Sequence, residues 1–335
     1  MFVNSKPAGK TDVGLVREAN EDFLLVDRKN ALYVVCDGMG GHQAGEVASQ
    51  SAAETIRLAF QDFSEELTES TCLPSDITIS PRGQLLINAI RAANRHIFTQ
   101  AKLNPSQSGM GTTVVATAFE DDCLSIAHVG DSRAYRLEKD ALIPLTRDHS
   151  WVEEIQRNSD VSEAEASNMV GKNVITRALG VRRDVEVDYS MIKVKPGDVY
   201  VLCSDGLCGY ANDDEIFAAV KDVRLDVDAI VDNLIKLAKD KGGADNVTII
   251  AVEIPDVKKT DTEEIEAFTC PAETDDMLAL EDQWLAMMAD GREELQEEQA
   301  KSGPSGSSSP KGYFLYAIFG AFIVIGAVII YLTAT

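Results

Sequence analysis

The sequence predicts an α+β fold in which two antiparallel sheets pack together and helices cover their outer faces. Strand-like apolar runs arrive in pairs joined by short polar turns, as antiparallel neighbours do. Helical patterns come in blocks between those runs instead of alternating with them singly, so a βαβ winding is not expected. The chain has 335 residues, 45% of them hydrophobic, which is enough for a large core.

Phe23–Val26 and Leu32–Cys36 form the first strand pair around the polar turn at residues 27–30. Helices follow over Glu46–Phe60 and Gln84–Lys102, the second with Leu86, Ile90, Ala93 and Ile97 on one face. Strands over Thr112–Phe119, Leu124–Val129 and Ala134–Leu137 come in series. Further apolar runs, Val199–Ser204 and Val247–Val252, flank a helix over Asp228–Lys241 that aligns Ile230, Leu234 and Leu237. No internal repeat is present. The six cysteines lack paired CxxC spacing and read as reduced thiols, most of them buried.

Residues 1–254 read as a single domain. Residues 255–310 change character, with fifteen acidic against four basic side chains, and end in a Gly/Ser/Pro tether. Within this acidic linker Leu280, Trp284 and Met287 recur at helical spacing and predict a short amphipathic helix. Residues 313–332 contain no charge, and as a helix they would span about 30 Å, so 311–335 is expected to be a single C-terminal transmembrane helix. Tyr313, Tyr316 and Tyr331 stand near its ends, where interfacial anchors lie. The N-terminus lacks a basic start followed by an apolar stretch, so no secretory signal is expected and the bulk of the chain is placed in the cytoplasm. A net charge of −24 argues against nucleic acid as a partner.

Acidic residues stand at the ends of the apolar runs: Glu21 and Asp22, Asp37, Asp131, Asp205 and Asp245. A single aspartate beside glycine reads as turn chemistry. As a set, delivered from distant parts of the chain to strand ends, they read as a metal site. Asp37-Gly38-Met39-Gly40-Gly41 suits a backbone that turns sharply and exposes a carbonyl. Carboxylates and carbonyls form a hard-oxygen donor set, which selects Mg²⁺ or Mn²⁺ over Zn²⁺ or copper.

These residues carry a resemblance. Gly14 to Asp22 (GLVREANED), Val35 to His42 (VCDGMGGH), Gly109 to Thr113 (GMGTT), His128 to Arg133 (HVGDSR), Leu145 to Ser150 (LTRDHS), Ile175 to Gly180 (ITRALG), Cys203 to Leu207 (CSDGL) and Asp245 to Thr248 (DNVT) occur in order across almost all of residues 9–254. The chain resembles the metal-dependent serine/threonine protein phosphatases of type 2C, in their bacterial form. The resemblance implies a four-layer α-β-β-α sandwich, two central antiparallel sheets flanked by helix pairs. It implies a centre of two Mn²⁺ or Mg²⁺ ions. Asp37 would bridge both, Gly38 would offer its carbonyl to one, and Asp205 and Asp245 would hold the other. Asp22 would sit on an ion or one step removed, with Glu21 beside it, and Asp131 matches the aspartate used for a weaker third ion.

The resemblance further implies Arg17 as the phosphate-binding arginine and a water as nucleophile. Some family members have a histidine immediately after Asp-Gly; Met39 stands there, and His42 is the natural substitute as general acid, with a metal-bound water as the alternative proton donor. Residues 151–173 fall where the family carries a flap beside the site, with Ser150 and Ser162 as caps for two short helices. His128 reads as a satisfied core residue and His149 as a helix N-cap feature. The function implied is hydrolysis of phosphoserine and phosphothreonine on proteins, opposing a cognate serine/threonine kinase at the membrane. The alternative is a tail-anchored scaffold that binds phosphoproteins with little turnover. A two-metal nuclease conflicts with the charge.

Overall fold

A computed structural model of the chain describes residues 5–40, 44–61, 79–158, 165 and 174–272. Two antiparallel sheets face each other. The first runs β1 (Lys6–Asp12), β11 (Val247–Ile254), β10 (Asp198–Cys203), β7 (Arg133–Leu137), β8 (Leu142–Pro144). The second runs β12 (Ile265–Cys270), β9 (Val187–Lys193), β6 (Cys123–Val129), β5 (Val114–Glu120), β3 (Leu32–Met39), β2 (Asp22–Asp27), with β4 (Gly111–Thr112) paired to the end of β3. Helices α1 (Ala44–Gln61) and α2 (Pro81–Leu103) cover the second sheet, and α5 (Asp213–Val220) and α6 (Val227–Asp240) cover the first. The expected α-β-β-α sandwich is the observed architecture. Two short helices, α3 (Trp151–Asn158) and α4 (Asp205–Cys208), lie in connections.

The helix starts follow local chemistry. Ser80 accepts from the Gly83 amide at 3.1 Å and Pro81 opens α2, so this helix begins three residues earlier than its apolar stripe. Asn212 and Glu215 form a reciprocal capping box on α5, and Asp226 caps α6.

Period-two alternation in β3 divides its side chains between two cores. Leu32, Val34 and Cys36 pack under α1 and α2, whereas Tyr33 and Val35 enter the space between the sheets. Tyr33, Phe119 and Tyr200 fill that space as edge-to-face pairs with centroids 5.9 and 5.6 Å apart. Asp37 continues the Tyr33–Val35 face, so its side chain arrives in the same layer about four residues, or roughly 13 Å, from the aromatic prop.

Three features differ from the expectation. β1 is polar, contains Pro7 and is mostly exposed, so no apolar signal marks it; backbone pairing with β11 makes it an edge strand. The strand expected over Thr112–Phe119 is broken at Thr113, whose amide donates to Asp37 O at 2.8 Å and whose hydroxyl accepts from the Asp37 amide at 3.1 Å. The sheet also continues past residue 254. β12 pairs with β9 inside the segment expected to be acidic linker, burying Cys270 and setting Phe268 edge-on to Tyr189 with centroids 5.9 Å apart. The Thr260 amide donates to Asp122 at 3.0 Å, and Lys193 Nζ bonds both residues, which leads the chain to that edge. Residues 273–335, holding the expected amphipathic helix, tether and membrane span, lie outside the described residues.

Candidate metal centre

One end of the inter-sheet layer collects the acids. Asp37 lies near the C-terminal end of β3 and Asp22 begins β2 directly opposite it in the ladder. Asp205 follows β10 and opens α4, Asp245 precedes β11, and Asp131 occupies the turn in which the chain leaves β6 of one sheet for β7 of the other. Because β3 and β10 end where β2 and β11 begin, antiparallel pairing brings all five to the same edge. These are the five predicted aspartates.

Each is held by neighbours. Asp22 is buried and accepts from Ser204 Oγ at 2.7 Å, with Thr248 as a further side-chain partner. Asp37 and Asp205 approach closely enough to share a hydrogen bond. The carbonyl of Asp37 accepts from Thr113 N and from Thr112 Oγ1, at 2.8 and 2.9 Å, which aligns the backbone leading into Gly38. Gly38 must be glycine: a Cβ there would stand 2.2 Å from Gly45 O in the first turn of α1. Its amide donates to Glu21 O at 3.1 Å. The Glu21 carboxylate accepts from the Gly45 amide and so closes the N-terminus of α1.

Arg17 reaches the rim of the cluster, pairing with Asp245 at 2.8 Å while its side chain stays about half exposed. Its loop is strapped down by Leu15 N to Gly243 O at 2.7 Å and by Asn246 Nδ2 to Val13 O and Ala19 O at 3.0 and 2.9 Å. Arg133 forks onto Asp148 at 2.8 and 2.7 Å. Both arginines neutralise the margin. Inside, burial pushes the Asp22 carboxyl up to about 7 despite its hydroxyl partners, with Asp205 and Asp245 adding to the rise. Asp131 is pushed to about 7 by burial, then by Asp205 and Asp148, and Asp37 is driven well above the usual range by burial and the surrounding carboxylates.

A concentration of buried acids with oxygen-only donors fits hard divalent cations, which would offset the repulsion that the protein leaves uncompensated. Asp22, Asp37, Asp131, Asp205 and Asp245 are brought together as predicted, with Gly38 and Arg17 beside them. His42 lies outside the described residues.

A separate cluster, His128, His149 and Asp188, brings three potential ligand atoms within 4.8 Å of one another. Its atoms are already committed. His128 Nε2 donates to Arg147 O at 2.7 Å, satisfying that core histidine as expected. His149 Nδ1 accepts from Gly130 N at 3.0 Å, and Nε2 faces Asp188 at 3.2 Å. Arg177 Nη1 donates to Asp188 at 2.8 Å, so a guanidinium supplies the positive charge there. Ser150, not His149, caps α3, accepting from the Glu153 amide at 3.3 Å. His149 is therefore reassigned from cap to turn clasp.

Thr112, Thr113, Ser204, Asn246 and Thr248 belong to the motifs, but the role of their side chains emerges only in the folded chain. The hydroxyls orient Asp37 and Asp22, while the Asn246 side chain bonds the backbone of Val13, Ala19 and Glu21; Ser204 and Asn246 stand next to aspartates in sequence, and no local signal marks Thr112 and Thr113.

The family model for protein phosphatase 2C matches residues 12–247. The chain is 38% identical over 248 residues to the serine/threonine phosphatase stp of Listeria innocua, covering 73% of this chain and 94% of that protein. It is 35% identical over 276 residues to the serine/threonine protein phosphatase PstP of Mycobacterium tuberculosis, covering 82% of this chain and 49% of that longer protein. Among solved structures, the catalytic domain of PstP in complex with two manganese ions aligns with a TM-score of 0.63 at 33% identity, covering 75% of this chain and 99% of that one. The phosphatase Stp1 of Staphylococcus aureus aligns with a TM-score of 0.65 at 31% identity, covering 76% and 97%.

Proposed function

The chain belongs to the protein phosphatase 2C family and is a serine/threonine protein phosphatase; from this premise we propose that it hydrolyses phosphoserine and phosphothreonine on proteins at a centre that takes two Mn²⁺ or Mg²⁺ ions, with a weaker third position. The observation that carries this reading is the convergence of Asp37, Asp205 and Asp245 with Gly38 at one sheet edge, joined by Asp22 and Asp131. Asp37, which faces Asp22, Asp205 and Asp131, would be shared between the ions. Gly38 would offer its carbonyl, Asp205 and Asp245 would hold the second ion, and Asp131 would hold the third. Asp22, spent on Ser204 and Thr248, acts one step removed by orienting the rest.

When bound, such ions supply Lewis-acid stabilisation of phosphoryl oxygens and activation of water. The protein supplies orientation. Arg17, half exposed at the rim, turns its planar fork from Asp245 toward two phosphate oxygens of the incoming phosphoresidue. Transfer to water needs no covalent phosphoenzyme. The departing alkoxide needs a proton, and His42 is the residue assigned to deliver it.

The domain acts at a membrane, held by residues 311–335 through the acidic linker and opposing a cognate serine/threonine kinase on the cytoplasmic side. This rests on the twenty uncharged residues at 313–332; among the described residues no helix is long and apolar enough to cross a membrane. Fusing 311–335 to a soluble reporter and fractionating cells tests the anchor, and a soluble fusion refutes it. The chemistry is tested with a phosphothreonine peptide: phosphate release is expected to depend on Mn²⁺ and to be abolished in Asp37→Asn and Asp205→Asn. Undiminished release in excess chelator overturns the metal assignment.

A further inference from the structure

We propose that His149 is a positioning residue for Asp131, clasping the turn that presents this carboxylate and joining it to the base of the segment 151–173. The proposal rests on the assignment of Asp131 as a metal ligand. Asp131 lies in the connection Gly130-Asp131-Ser132, where the chain crosses from one sheet to the other. Gly130 has φ +109°, and a Cβ there would stand 2.6 Å from the Thr113 side chain, so one side of the turn is pressed onto Thr113. Thr113 Oγ1 also hydrogen-bonds Ser132 Oγ at 2.7 Å.

His149 holds the other side. Its amide donates to Gly130 O at 2.9 Å, and its Nδ1 accepts from the Gly130 amide at 3.0 Å, so both backbone groups of Gly130 bond one residue. An accepting Nδ1 leaves the proton on Nε2, which faces Asp188 Oδ2 at 3.2 Å. Arg177 and Thr269 each donate to Asp188 Oδ1 at 2.8 Å, and the His128 ring stacks on His149 with centroids 4.7 Å apart and planes 17° apart. The imidazole is thus fixed in tautomer and orientation.

The same residue closes a second element. His149 O accepts from the Thr176 amide at 2.8 Å, Ser150 bridges to Ile175, and Trp151 N donates to Val174 O at 3.0 Å. The two ends of the segment 151–173 therefore meet at His149. A change at that base reaches Gly130, and through it Asp131, without passing through the other ligands.

The test is stepwise Mn²⁺ binding to the full chain by calorimetry, with the Mn²⁺ electron paramagnetic resonance spectrum as a second readout. His149→Asn retains an acceptor oxygen near the place of Nδ1; His149→Ala does not. Asp131→Asn and His149→Ala are expected to weaken the same step by about 10- to 100-fold and leave the other steps within about threefold, as loss of an outer partner does at metal sites. His149→Asn is expected to recover that step to within about threefold of wild type. An unchanged step in His149→Ala, equal weakening of all steps, or an Asn variant no better than Ala overturns the proposal. If His149→Ala does not fold by circular dichroism, Asp188→Ala decides: it spares the clasp but frees the ring, and no weakening of that step overturns the proposal. Asp131→Asn leaving every step intact overturns the ligand assignment together with the proposal. A step lost in Asp131→Asn but intact in His149→Ala overturns the positioning role alone.

Discussion

Ser204 Oγ donates to Asp22 Oδ2 at 2.7 Å, joining the end of β10 in one sheet to the start of β2 in the other. The same oxygen accepts from the Thr248 amide at 3.0 Å, and Ser204 has no exposed surface. Ser204→Ala leaves a buried carboxylate and an amide short of a partner, so a loss of about 1–3 kcal/mol is expected in urea unfolding of the metal-free chain. Mn²⁺ affinity should fall by about ten- to a hundredfold. A variant that matches wild type in both titrations would show that the link between the sheets does not support the centre.

Arg17 separates binding from stability. Arg17 is half exposed in its pair with Asp245, and pairs open to solvent contribute about 0–1 kcal/mol, so Arg17→Ala should melt close to wild type. With phosphothreonine peptide its KM should rise by about tenfold or more, and Arg17→Lys should recover little, because an ammonium cannot bind two oxygens in one plane. Full recovery by lysine would mean that only the charge matters.

His128 sets an acid limit. Burial first and His149 second lower its pKa from 6.5 to about 4, against the opposing pull of the Arg147 carbonyl, Asp188 and Asp148. A depressed histidine binds its proton more tightly in the unfolded chain, so the His128 contribution to stability is complete above about pH 6.5 and is lost as pH falls toward 4. At 1.36 kcal/mol per pKa unit the loss is on the order of 3 kcal/mol. His128→Gln, which keeps a donor side chain but does not titrate, should show a flatter decline in unfolding free energy between pH 6.5 and 4. Parallel curves for the two proteins would contradict this.

β12 belongs to the folded unit. Ending the chain at residue 254 removes one of the two strands paired with β9 and uncovers Tyr189, which Phe268 otherwise flanks. It also removes the Pro271 carbonyl that Arg91 on α2 bonds. Residues 1–272 should therefore exceed residues 1–254 in stability by at least about 2 kcal/mol, the scale of one large apolar side chain. Equal denaturation midpoints would return the boundary to 254.

Much of the site was legible because its acids stand beside apolar runs. Asp37 and Asp205 follow apolar runs and Asp245 precedes one, and sequence distance does not blur that local pattern. β1 and β12 were not legible, since edge strands held by backbone pairing carry polar side chains and no alternation. Thr113 and Ser204 were not assigned, because a hydroxyl inside a motif has the same local chemistry whether it faces solvent, a backbone amide 76 residues away or a carboxylate 182 residues away.

Sequence alone was sufficient for the α+β class, the layer order implied by the motif series and the identity of the clustered aspartates, because paired apolar runs on short turns and acids at the ends of those runs are local features of the chain. Tertiary structure decided what those side chains do to one another. The direct opposition of Asp22 and Asp37, the sharing of Gly130 by His149 and the extension of the sheet to residue 270 depend on strand register and on contacts between sheets. Register is a property of two strands at once, and no single segment contains it.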